Sequence, residues 1–198
     1  YPGYGASWPA YYGAIAMTYE QSSSRGLAYR RYDGSEFTYR DTIKGHFTTS
    51  LASIETAADN RAALLANFRN YQESAVDTGS KDRSARYRVW SAGGDRAAAA
   101  KMAANLTKMG VEVMHGTPQG SVCGVAGSDG LYAIDTAQPR ARMVRTLLDQ
   151  QVDMDIDFVK AQEELRGRDE SHDIYDITGW ALPVLYNLDV KSCGKASL

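Results

Sequence analysis

The sequence predicts an α/β protein in two parts, and three observations carry that expectation. Residues 87–114 read as strand, helix, strand: Tyr87-Arg88-Val89-Trp90-Ser91-Ala92, a run of strong helix formers from Arg96 to Met109, then Val111-Glu112-Val113-Met114. From Phe47 to about Tyr71 the apolar residues Phe47, Leu51, Ile54, Ala58, Leu65 and Phe68 recur mostly at helical spacing, the stripe of one long amphipathic helix. Between these, Glu73 to Arg86 turns polar and charged, which reads as a linker. The expected organisation is a first segment at 1–75, a linker at 76–86 and a second unit at 87–198.

Composition narrows the functional classes. A chain of 198 residues can bury one good core or two small ones. With 22 basic against 24 acidic residues, its formal net charge of -2 gives no reason to expect nucleic acid or an anionic membrane surface as partner. No apolar run approaches membrane-spanning length. The two cysteines, Cys123 and Cys193, fit a disulfide in an oxidising compartment or free thiols in a reducing one.

In the first segment, Gly13 to Tyr19 reads as a short buried strand, bounded by Pro9 and Gly13 before it and by Ser22-Ser23-Ser24 after it. It ends in Glu20. A carboxylate leaving water loses several kcal/mol of solvation unless it is paired or protonated, so Glu20 either reaches solvent or has a task there. Asp33-Gly34-Ser35 sits between Leu27–Tyr32 and Glu36–Arg40 and predicts a β-hairpin. Its tyrosines, Tyr29 and Tyr39, serve as cross-strand packing or as the lining of a cleft.

In the second unit, Asp95 is placed to cap the helix from Arg96, and Gly110 marks its end. A right-handed crossover between the two strands makes them parallel. Gly93-Gly94-Asp95 is a weak candidate for an anion cradle. Gly116 to Gly130 is turn-prone, and Leu131–Asp135 is a further strand. Pro139 leads a helix to Leu148 with an apolar stripe of Met143, Val144, Leu147 and Leu148. Met154 to about Leu165 is another helix, capped by Asp153 or Asp155, and the tail holds a short helix and a strand from Tyr186 to Val190.

Three stretches carry a resemblance. Tyr1-Pro2-Gly3-Tyr4-Gly5-Ala6-Ser7-Trp8-Pro9, Gly13-Ala14-Ile15-Ala16-Met17-Thr18-Tyr19-Glu20-Gln21 and Phe47-Thr48-Thr49-Ser50-Leu51 together resemble the end of the catalytic domain of zinc carboxypeptidases of the carboxypeptidase A type. More narrowly they are similar to a bacterial branch with an added domain like class I glutamine amidotransferases, in which the run Tyr175-Asp176-Ile177-Thr178-Gly179-Trp180-Ala181-Leu182-Pro183 recurs near the end.

The resemblance implies that Glu20 is the general base on a zinc-bound water, and that Tyr1 or Tyr4 supplies a substrate-side hydroxyl. It implies the helix 47–71 packs on a mixed sheet, and a secreted or periplasmic setting with a peptide as substrate. The fold implied is the end of a carboxypeptidase mixed sheet (strand, hairpin, long helix) followed by a small flavodoxin-like parallel α/β domain.

The zinc ligands are not in this sequence. The family needs a His and a Glu close together and a second His, upstream of the base. Here the histidines are His46, His115 and His172, all downstream of Glu20. The expectation is therefore a C-terminal piece of a longer hydrolase, inactive alone, holding no cofactor itself, with the helix 47–71 covered by the second unit or by another copy of the chain. Cys123, in Gly120-Ser121-Val122-Cys123-Gly124, superficially resembles a nucleophile elbow. No helix follows it, so it reads as a loop cysteine. From a different class, the second unit is a non-enzymatic module presenting Gly93–Asp95 and Gly116–Gly130 to a ligand or a neighbouring domain.

Overall fold

The computed structural model describes residues 2–21, 23–151, 154–173 and 179–196. Among these the chain is mixed α/β, with seven helices and antiparallel sheets. No described helix is long and apolar enough to cross a membrane.

After a single turn, α1 (Ser7–Ala10), the expected buried strand is absent. Residues 14–20 are exposed and belong to no strand, and beyond the Ala14 N–H their backbone makes no hydrogen bond among the described residues. No other described strand lies beside them to complete a ladder. The hairpin forms as expected: β1 (Ala28–Arg30) pairs antiparallel with β2 (Glu36–Thr38), and Asp33 accepts from the Ser35 backbone N–H at 2.9 Å within the turn.

The single helix expected over 47–71 is two helices, α2 (Tyr39–Asp59) and α3 (Arg61–Lys81). A capping box starts α2 early: Thr38 accepts from the Asp41 N–H and Asp41 accepts from the Thr38 N–H. The break falls at Asn60, whose side-chain amide donates to the Thr56 carbonyl at 2.9 Å and competes with the backbone for it. The polar run Asp77–Lys81, expected in a linker, continues α3 instead. There Lys81 and Asp77 face each other one turn apart at 2.7 Å.

The second unit runs β3 (Tyr87–Ser91), α4 (Arg96–Lys108), β4 (Met114–Gly116), the small hairpin β5 (Ser121–Val122) and β6 (Val125–Ala126), then β7 (Leu131–Asp135). It continues with α5 (Ala141–Leu148), α6 (Ile156–Gly167), α7 (Leu182–Leu185) and β8 (Lys191–Cys193). The four-stranded sheet has the order β4-β7-β3-β8, with every neighbouring pair antiparallel.

This overturns the flavodoxin-like parallel sheet. The segment from Gly116 to Gly130 folds as a hairpin rather than a crossover helix, so the chain returns directly and β7 inserts between β3 and β4. β3 and β4 do point the same way, since both oppose β7, but they do not touch. β7 and β8 are split by β3 in the same manner, giving two interleaved split βαβ units.

β4 also starts three residues later than expected. The Gln138 side chain takes the place of a strand partner at Glu112, accepting from its N–H at 2.8 Å and donating to its carbonyl at 3.2 Å. The strand expected at Tyr186–Val190 forms instead as β8, at Lys191–Cys193.

Side chains alternate across the sheet. Trp90 and Ile134 face the helices, where Met102 and Leu106 of α4 and Met143, Val144 and Leu147 of α5 close the main core. Val89, Leu131 and Ala133 face the other way, towards Val122 of β5. Arg88, itself buried, donates to both Asp149 oxygens at 2.8 and 3.0 Å. Arg86 holds Asp135 in the same bidentate way at 2.9 and 2.7 Å.

The first segment docks on this unit. Trp8, Tyr11 and Tyr12 pack against the main core, the Tyr12 hydroxyl donates to the Met109 carbonyl at 3.1 Å, and Arg142 donates to the Tyr71 carbonyl at 2.6 Å. Gly79 of α3 is buried so closely on the Thr136 carbonyl that a Cβ would overlap it.

Two outcomes are expected. Gly79→Ala should destabilise the protein by about 1–3 kcal/mol in urea unfolding, because α3 must retreat from β7. The Arg86 hydrogen bond lowers the Asp135 carboxyl below its usual range, and the Ala85 backbone N–H does the same for Asp82. Both therefore stabilise the fold fully above about pH 4, and that stabilisation is lost as pH falls through their lowered folded values. Urea midpoints measured between about pH 2 and 7 should show a shallower acid slope for Asp135→Asn than for the unmodified protein.

Candidate functional site

Glu20 ends the unpaired stretch 14–20, and its position is fixed by its neighbours. The Tyr19 hydroxyl lies 2.9 Å from Ser53 Oγ, and the Gln21 amide donates to Thr49 Oγ1, so both residues are tied to α2. The Glu20 carboxylate between them faces solvent, with no hydrogen bond or ion pair among the described residues. Tyr4 is 52% exposed near α1, and Tyr1 lies outside the described residues.

A groove of about 1140 Å³ runs between this segment and the two helices, lined by Ile15, Met17, Tyr19, Leu64, Phe68 and Tyr71 among others. Glu20 is not part of its wall. Phe47, Ile54 and Leu65 remain 67%, 66% and 68% exposed, so the second unit covers only the end of α3 and leaves the stripe on α2 open. An uncovered apolar stripe on a helix marks a surface that meets something else.

The histidines of this chain do not assemble a metal site among the described residues. No group of three His, Cys, Asp or Glu side chains comes together among them, and His46 and His115 stand on different elements, α2 and β4. Asp155 caps α6, accepting from the Asp157 and Phe158 N–H groups at 3.0 and 2.9 Å, while Asp153 lies outside the described residues.

At Gly93-Gly94-Asp95 the helix start is capped by its own side chains. Asp95 accepts from the Ala98 N–H at 2.9 Å, and the Gly93 N–H donates to Ser91 Oγ at 3.0 Å. Cys123 is no nucleophile: it forms the turn of the β5–β6 hairpin and is disulfide-bonded to Cys193. Of the nine-residue run near the C-terminus, 175–178 lie outside the described residues and Leu182-Pro183 opens α7.

Two features of the structure, the groove and a row of rings in the sheet, carry no plain signal in the hydrophobic pattern. The groove arises from the break at Asn60, where the only sequence clue is the capping habit of asparagine. The row Trp90, Tyr132 and His115, with ring centroids 5.4 and 4.6 Å apart, arises because β7 lies between β3 and β4. Compared with protein-family models, with curated proteins and with solved structures, the chain matches none.

If the α2 stripe is a true free surface, Phe47→Ser should leave stability within about 0.5 kcal/mol of the unmodified chain in urea unfolding. A loss of several kcal/mol would mean that the residue is covered in solution.

Proposed function

We propose that residues 1–75 form the closing part of a zinc metallocarboxypeptidase-like catalytic domain acting on peptides, with Glu20 as its general base. The α/β unit is a non-catalytic companion. One observation supports this most: a stretch of unpaired backbone ending in a free carboxylate lies beside an uncovered apolar helical face. Strand-forming chain next to a helix stripe is half of a layered fold, and the missing half is a sheet that pairs with 14–20 and covers α2. In this reading the layer belongs to the same protein, and a second copy of the chain is the alternative cover.

This chain contributes the acid–base step. Glu20 accepts a proton from the attacking water and returns it to the leaving amine, with Tyr4 or Tyr1 as the substrate-side hydroxyl. The zinc ligands must come from elsewhere in the protein. The Cys123–Cys193 bond fits a secreted or periplasmic setting.

Glu20→Gln in the full-length gene product should lower peptide turnover by about 10²–10⁴-fold with substrate binding retained; undiminished turnover would refute the assignment. The second reading, a non-enzymatic ligand- or domain-binding module, has in its favour a cavity of about 440 Å³ between residues 117–120 and 126–128. A ligand located there by chemical-shift mapping, together with an inert Glu20, would establish that reading instead.

A further inference from the structure

The two faces of the four-stranded sheet are covered unequally. The helix side buries eleven residues in one cluster, and none of them belongs to the β5–β6 hairpin. The opposite side buries four, Val89, Val122, Leu131 and Ala133, and Val122 alone among these comes from outside the sheet. Its carrier is a hairpin with two-residue strands, too small to hold itself in place.

Beyond the packing of Val122 and Val125 on the sheet, what fixes the hairpin is covalent. Cys123, at φ +51° in its turn, is bonded to Cys193 of β8, seventy residues further on. β8 has its own anchorage, pairing from Lys191 to Cys193 with β3, while Leu188 and Val190 ahead of it pack on the helix-side core. Breaking the sulfur–sulfur bond therefore leaves the hairpin only its small apolar contact with the sheet, without removing a strand or touching the main core.

We propose that the Cys123–Cys193 disulfide is a redox latch that holds the β5–β6 hairpin over one face of the sheet. Opening it uncovers Val89, Leu131 and Ala133 while the rest of the fold persists. The opening step is a two-electron reduction by a dithiol. Its thiolate attacks one sulfur, the Sγ–Sγ bond breaks, both cysteines end as thiols, and the reductant closes to its own disulfide. The latch stands independently of the peptidase reading.

The test compares hydrogen exchange of the whole chain before and after dithiothreitol, with a thiol count confirming two free cysteines. The Gly127 amide, which donates to the Gly120 carbonyl at the base of the hairpin, should exchange at least about tenfold faster after reduction. Binding of an apolar dye should rise, and the near-ultraviolet circular dichroism of buried Trp90 should persist. The double variant Cys123→Ser/Cys193→Ser should behave as the reduced protein does. Unchanged exchange with two free thiols, or loss of the Trp90 signal on reduction, would overturn the latch. So would two free thiols in protein prepared without reductant.

Discussion

The antiparallel ladder between β3 and β7 is the constraint on which the rest of this structure depends. Its register, Tyr87 opposite Asp135 through to Ser91 opposite Leu131, decides which side chains face the helices and which face the small hairpin. It sets Trp90 against Tyr132 and brings Arg86 to Asp135. It also carries Thr136 to the point where α3 can dock, since Gly79 lies on the carbonyl just beyond the end of β7. A slip of β3 by one residue would turn Val89 towards the helices and put Arg88 under the hairpin.

Much of the second unit was legible in the sequence because its signals are local. Asp95 before a run of alanines, Gly110 after it and the apolar stripe from Met143 to Leu148 each act within a few residues, and each element formed where expected. Strand order was harder to read, because it depends on which edge a returning strand takes. One clue was present: the connection from Gly116 to Gly130 shows no helical pattern, and a parallel return needs a crossover that is usually a helix. The charged Arg88 within β3 also departs from the near-continuous apolar run of a fully buried parallel strand.

The candidate site was less legible, for a physical reason. Gly13 to Tyr19 has the composition of a buried strand, but a strand is a cooperative object and needs a neighbour to bond to. Composition states a preference; only the presence of a partner realises it. The same holds for α2, whose stripe announced a buried face that stays in solvent. Glu20 reaches solvent, one of the two states its place in the sequence allowed, while the groove beside it follows from a helix break that periodicity alone does not show. The disulfide was one of two open alternatives, because the cysteines lie far apart in sequence and meet only through the positions of the β5–β6 turn and β8.

Every residue of the described apolar core lies at Ala75 or beyond. What lies ahead of that point is held to the sheet's core through Trp8, Tyr11, Tyr12 and the second half of α3, so the stretches far from those contacts open more readily than the sheet does. A melting temperature recorded on this polypeptide therefore describes the α/β half together with what docks on it, while the exposed chain at 14–20 answers to a weaker balance of forces.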